Sequence, residues 1–436
     1  MSLFPALAAN MLQMVGVGPF LTIPLILSAM HGPQALLGWI LGALISICDG
    51  LVWAELGAAM PGSGGSYEYL EQAFGPKSLG RLMSFLFLWQ VMISSPLTAA
   101  SGGVGFAQYL RYLLPWLTDS EMKIVAMAVC LLSTYLLYRD IRSIGVISTI
   151  LWIGLMLAMA VIVWGGIFHF SAARAFSFPA GAFHLSPAFL IGLGSATLIA
   201  MYDYSGYFTV CLIGGEIKNP TKTIPRAVLL SIGILAVLYL AMSFSIIGVV
   251  PWQDAAQSKA IVSTFMERLY GVTAANAMTC LILWVAFASV FCVLLGYTRV
   301  PYAAAVEGRF FSPFARVHPT RHFPSFSVVF MGVASAALCF LSLEQLITGL
   351  IIIQIVTQFA AQCIAVILIR RTRKDIKLPF CMPLYPAPAL VALAGWIFIL
   401  VSTGRIYIFW GFLLVVFGIA AYLWRARTKH EWPFAT

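Results

Sequence analysis

The sequence is short of charge. Of its 436 residues, 9% are Asp, Glu, Lys or Arg, against about 25% in an ordinary soluble domain. With 61% hydrophobic residues, the chain has too little polar surface to dissolve as a free globular domain. It reads instead as a bilayer protein. Acidic residues are the scarcer sign, 15 against 25 Lys and Arg, a net charge of +10. Spread over a soluble face, that excess would suggest nucleic acid. Here it sits in short loops between apolar runs and reads as membrane topology, so no nucleic-acid partner is expected.

Metal-binding and catalytic spacings are missing too. The six His form no HxxH or HExxH pattern, and the eight Cys form no CxxC pair, so neither a structural metal site nor a cofactor is expected. The cysteines lie within apolar runs and read as small hydrophobes. No nucleotide loop or nucleophile–base pair occurs, which argues against an enzyme. Met1 runs straight into an apolar segment too long for a cleavable signal peptide.

Long apolar runs are what the chain has. A hydrocarbon core of roughly 30 Å takes about 20 apolar residues per helix. On that basis the sequence predicts twelve spans, near 3–30, 34–60, 81–112, 122–138, 143–169, 186–213, 226–250, 273–302, 325–342, 344–369, 386–404 and 407–424. The whole chain, 1–436, reads as a single transmembrane domain. An even count puts both termini on one side. With the N-terminus inside, the inner loops carry 19 of the 25 Lys and Arg, Arg139, Arg142 and Arg321 among them. The positive-inside rule therefore predicts cytoplasmic termini in a plasma or inner membrane. The outer segment "SKAIVSTFMERLYG" reads as a short amphipathic helix.

Two spans are interrupted. The first contains "QMVGVGPFLTIP", with Gly16, Gly18 and Pro19 near mid-span. The sixth contains "MYDYSGYF", with Ser205 and Gly206 near mid-span and Asp203 just before them. Glycine weakens a helix, and proline removes a donor and clashes with the preceding turn. Each break alone also reads as a simple kink. Matched breaks in two halves of a chain point to a midplane binding site, because unwound backbone at that depth must line a protein cavity. A half-helix that restarts there presents free N–H groups suited to an anion. An intramembrane acid such as Asp203 is a functional candidate by default.

Four stretches carry a family resemblance: "GVGPF", "LVWAELGAAMPGSGGSYEYLEQAFGP", "SGYFTVCLIGGEIKNPTKTIPRA" and "TRVPYAAAVEGRFFSPFARVHPTRHFPSFS". Through them the chain resembles the amino acid–polyamine–organocation superfamily, whose members have the LeuT-type fold. The resemblance implies an all-α membrane protein with an inverted repeat, helices 1–5 (1–170) and 6–10 (186–370), and two added helices (386–424). It implies a substrate held between helices 1, 3, 6 and 8, and a moving bundle of helices 1, 2, 6 and 7. By that pattern Gly16, Val17 and Gly18 cradle a substrate carboxylate, Tyr202, Ser205 and Gly206 meet its amine, and Tyr207 is an aromatic gate.

The sequence departs from the pattern in places. Phe208 stands where many members have a polar residue, Pro19 removes a backbone donor, and helix 5 offers Trp152 where proton-coupled relatives can carry a lysine. Asp49 and the GPF of helix 1 look more like the polyamine-uptake branch.

The residues give further candidates. Asp203 suits an ammonium, a coupled proton or a structural pair. Asp49 suits coupling or a bond across the bundle. Glu55 and Glu216 sit near inner helix ends, where they suit gating or structural ion pairs. Gln90 in helix 3 faces either the substrate or a neighbouring helix. The expected activity is secondary transport of an amino acid or a related amine, coupled to protons or run as exchange. A polyamine carrier and, from another class, a channel are the rival readings. The oligomeric state is not legible.

Overall fold

The computed structural model describes residues 1–62, 64–139, 144–319 and 323–434, with the side chains of 139 and 144–152 left out. Arg142 and Arg321, and the side chains of Arg139 and Trp152, therefore lie outside the described residues.

Among the described residues the chain is helical, with no strand. Its α-helices are α1 Leu3–Val15, α2 Gly18–Met30, α3 Leu37–Ala59, α4 Ser66–Phe74, α5 Leu79–Leu113, α6 Asp119–Arg139 and α7 Ile144–His169. They continue as α8 Ala172–Ala175, α9 Pro187–Tyr204, α10 Thr209–Leu212, α11 Pro220–Val249, α12 Trp252–Gln257, α13 Ile261–Tyr297 and α14 Arg299–Val306. The last five are α15 Ser325–Leu338, α16 Leu343–Gln354, α17 Ala360–Thr372, α18 Ala387–Ser402 and α19 Arg405–Lys429. Each of the twelve stretches expected to span holds a helix. Among the described residues seven helices qualify by length and apolarity alone, and α1 with α2 makes an eighth if that pair, bent by 48°, is one span.

Local chemistry accounts for the boundaries. Ser186 caps α9 by accepting from the Phe189 N–H at 3.1 Å. Ser342 and Gln345 form a reciprocal capping box at the start of α16. The segment expected to be amphipathic is helical from Ile261 and turns at Gly271, which has φ 81°, into the rest of α13. Its apolar side is buried in the protein at Ile261, Val262 and Phe265. Between α16 and α17 the expected plain helix widens to a π-turn over Ile355–Phe359.

The core is apolar, as in a soluble protein, but so is much of the exterior. Ile40 and Leu44 on α3 and Phe409, Trp410 and Phe412 on α19 are exposed, whereas Asp49, Glu55, Gln90, Asp203, Gln358 and Gln362 are buried. An apolar exterior around a partly polar core is what lipid selects. Both described chain ends gather at one end of the bundle. The Met1 amine donates to the Glu216 carbonyl, and Arg425 of α19 donates to the Gly308 carbonyl. Glu216 and Arg309, the neighbour of Gly308, line the same cavity.

Candidate functional site

The first span unwinds where its glycines stand. Gly16 has φ 34° and ψ −147°, a conformation that disfavours a side chain, and α2 restarts from Val17 with no side-chain cap. The sixth span unwinds after Tyr204: Ser205 is extended and Gly206 has φ 120°. The two breaks touch. A Cβ on Gly206 would lie 2.9 Å from Gln13 Cγ and 3.0 Å from the Met14 nitrogen, and one on Gly18 would overlap the Asp203 carboxylate.

The freed backbone groups have partners, and these account for much of the geometry. Asn10, fully buried on α1, donates to the Tyr207 carbonyl at 2.6 Å and accepts from the Val210 N–H at 2.9 Å. The Tyr239 hydroxyl of α11 reaches one carbonyl from each break, Asp203 at 3.1 Å and Met14 at 3.3 Å. The restart of the sixth span is therefore not the free helix end expected from sequence. It is a single turn, Thr209–Leu212, with Asn10 already on one of its donors. The thirteen-residue α2 is the longer dipole at the junction.

Asp203 is 1% exposed. Its Oδ2 accepts from the Thr22 hydroxyl at 2.5 Å, and its Oδ1 is buried without a hydrogen-bond partner. Tyr202 crosses to the third span, its hydroxyl 2.7 Å from Ser101 Oγ. Gly16 faces Ser289 of the eighth span across a cavity of about 30 Å³ that Gln13 also lines. Gln13 also lines a cavity of about 550 Å³ at the end where the termini gather. That vestibule is bordered by Glu68, Glu71, Glu216 and Glu307, and by Arg299 and Arg309.

The side chains of the remaining candidates point away from the junction. Tyr207 does not close over a pocket: it is fully buried and donates to Asp49 Oδ2 at 2.5 Å. Asp49 Oδ1 accepts from Trp396 Nε1 at 3.2 Å and from Cys363 at 3.6 Å. The acid therefore ties the sixth span to helices α17 and α18. Phe208 stacks on Trp53 with ring centroids 4.5 Å apart. Gln90 bonds Gln358 at 3.0 Å, eleven residues along α5 from Ser101. It is placed as a link between helices.

Glu55 is fully buried and makes a forked pair with Arg370, both bonds 2.6 Å. Glu216 is exposed, and no ion pair of its side chain occurs among the described residues. No group of three or more His, Cys, Asp and Glu suited to a metal is found among the described residues.

Sequence reasoning missed Asn10, Thr22, Ser101, Tyr239, Ser289 and Trp396. Asn10 and Thr22 had a readable signal, each being a polar residue six positions from Gly16 in an apolar helix. The others look like ordinary helix residues.

Residues 1–434 match the family model described as Amino acid permease. The chain belongs to the amino acid permease family of the APC superfamily. The permease is 26% identical over 398 residues to the serine/threonine exchanger SteT of Bacillus subtilis, covering 89% of this chain and 87% of that one. It is 24% identical over 425 residues to the branched-chain amino acid permease BcaP of the same organism, covering 92% and 87%. To the large neutral amino acids transporter small subunit 2 of Oryctolagus cuniculus it is 30% identical over 302 residues, covering 68% and 55%. It thus matches about half the length of that mammalian relative and most of the length of the bacterial ones. Family and apolar helices together make the permease a multi-pass membrane transporter.

Proposed function

We propose that this permease is a secondary active carrier of an amino acid or a related amine, working by alternating access in the plasma or inner membrane. The observation that carries the reading is the contact between the two breaks, Gly18 against Asp203 and Gly206 against Gln13 and Met14. Unwound chain at that depth persists where it is buried in protein or lines a polar cavity, and matched breaks in two halves of a carrier mark its binding site. The reading takes the twelve helix positions as twelve spans, two inverted repeats of five (1–170 and 186–370) with 386–424 appended. The end carrying the vestibule and most of the basic loops is taken as cytoplasmic.

On this reading the solute meets Gly16, Val17 and Gly18 of the first span and Tyr202, Asp203, Ser205 and Gly206 of the sixth. Ser101 and Ser289 close the pocket from the third and eighth spans. The vestibule is then the inward path, with Gln13 between it and the break. Tyr207 and Asp49 hold the sixth span in place, and the Glu55–Arg370 pair fastens the inner end of the second. Exchange or proton coupling supplies the driving force, and no cofactor or enzymatic step is required.

The test is uptake of radiolabelled amino acids and amines into proteoliposomes. Saturable uptake with counterflow is expected from a carrier. Unsaturable flux without counterflow indicates a channel and overturns the reading.

A further inference from the structure

Within a helix, a backbone carbonyl accepts from the N–H four residues further on. In α2 that donor is missing for Phe20, because position 24 is Pro. The third span fills the gap: the Tyr109 hydroxyl donates to the Phe20 carbonyl at 2.7 Å. The same hydroxyl accepts from the Val262 N–H at 3.4 Å. Val262 lies in the first turn of α13, where N–H groups have no partner inside the helix. One phenol thus serves a carbonyl freed by Pro24 and a donor freed by a helix start. Phe20, Tyr109 and Val262 are all fully buried.

Two helices place this contact. Along α5, Leu88 lines the vestibule, Ser101 meets Tyr202 at the junction, and Tyr109 follows on the far side of Ser101. Along α13, Tyr297 lines the vestibule, Ser289 faces Gly16 at the junction, and Val262 lies at the opposite end. The Tyr109 contact therefore closes the end of the bundle away from the vestibule, with the junction in between. Neighbouring ties there are less enclosed. The Ser28 hydroxyl reaches the Ala256 carbonyl at 3.0 Å from a half-buried place, and the Tyr112–Glu267 bond, at 2.7 Å, is exposed.

A site that opens alternately at two ends must part the elements that close it at this one. Separating α2, α5 and α13 breaks both bonds of the Tyr109 hydroxyl, and Pro24 leaves the Phe20 carbonyl no donor in its own helix. We infer that the Tyr109 hydroxyl is the lock that keeps the permease closed away from the vestibule and biases it toward the vestibule-open form. Tyr109 is then a positioning residue outside the solute site. The inference rests on the carrier reading.

Hydrogen–deuterium exchange on the full-length protein in proteoliposomes tests it, with uptake measured on the same preparation. Tyr109→Phe removes the hydroxyl alone. Loss of one buried hydrogen bond shifts an equilibrium by about tenfold, so exchange in segment 261–270 is expected to rise by that factor. Exchange in the vestibule segments 209–216 and 296–309 is expected to fall at the same time, because one end closes as the other opens. Pro24→Ala gives the Phe20 carbonyl a donor within α2. It is expected to cause the same reciprocal change to a smaller extent, and it decides the matter should Tyr109→Phe not fold. Unchanged vestibule exchange in the folded variants, with saturable uptake by the wild type, shows a purely structural bond and overturns the inference while the carrier stands. Absence of saturable uptake by the wild type overturns the carrier reading, and this inference with it.

Discussion

Asn10 on the first span holds the Tyr207 carbonyl of the sixth at 2.6 Å, across 197 residues of sequence. The same side chain takes the Val210 N–H, so one amide satisfies a donor and an acceptor that the break in the sixth span sets free. Leaving a buried polar group unsatisfied costs about 1–3 kcal/mol. Asn10→Ala orphans two such groups in a site closed to solvent. The expected outcome is a loss of roughly 2–6 kcal/mol on that scale, seen as a lowered thermal midpoint with reduced maximal uptake. Asn10→Asp keeps the acceptor for Val210 and is expected to retain more of both. Equal behaviour of the two variants would refute the bridging role.

Asp49 accepts from three donors, Tyr207, Trp396 and Cys363. A buried carboxylate held in this way is an anchor between the sixth span and helices α17 and α18. Tyr207→Phe removes the shortest of these bonds, and a hydrogen bond to a charged group contributes about 1.5–3 kcal/mol. Lower thermal stability with an unshifted pH profile of uptake is therefore expected. A displaced pH profile would assign Asp49 to coupling instead.

The Glu55–Arg370 pair is forked, with Glu55 fully buried. Glu55 also accepts from the Met382 N–H at 2.7 Å, and the Arg370 guanidinium lies 3.9 Å above the Tyr385 ring. Breaking a buried pair by removing one partner costs about 3–5 kcal/mol, because the other charge stays buried. Arg370→Met is accordingly expected to destabilise the protein more than the double variant Arg370→Met, Glu55→Gln does. Thermal midpoints of the two variants check this order.

Composition and breakers made much of the architecture legible. The helix positions followed from apolar runs, and the unwinding at Gly16 and Gly206 followed from glycine and proline at membrane depth. The segment ending at Gly271 was legible from its amphipathic pattern. Partners were not legible, because they depend on packing across distant stretches of chain. Nothing near Glu55 names Arg370, and nothing near Gln90 names Gln358, which draws it to the tenth span. The π-turn at Ile355–Phe359 has no glycine or proline to announce it. The aromatic at Tyr207 has a gate-like identity, yet its hydroxyl is engaged by Asp49, a bond visible only once the second and sixth spans are placed together.

Glu68 lies on α4, outside the spans and on the vestibule wall. Burial holds its carboxyl above the ordinary glutamate value, and the neighbouring charge of Glu307 adds to the effect. A carboxyl raised in the folded state binds its proton more tightly there than in the unfolded chain. The stability it contributes is fully present below the unfolded value, about 4.3, and is lost as pH rises through the folded value. Glu68→Gln is neutral throughout and removes this dependence. The variant's thermal midpoint is expected to fall less than the wild type's as pH rises from the ordinary glutamate range toward neutrality, and Glu307→Gln is expected to reproduce part of the change. Parallel curves for Glu68→Gln and the wild type would show that the vestibule carboxylates titrate independently of folding.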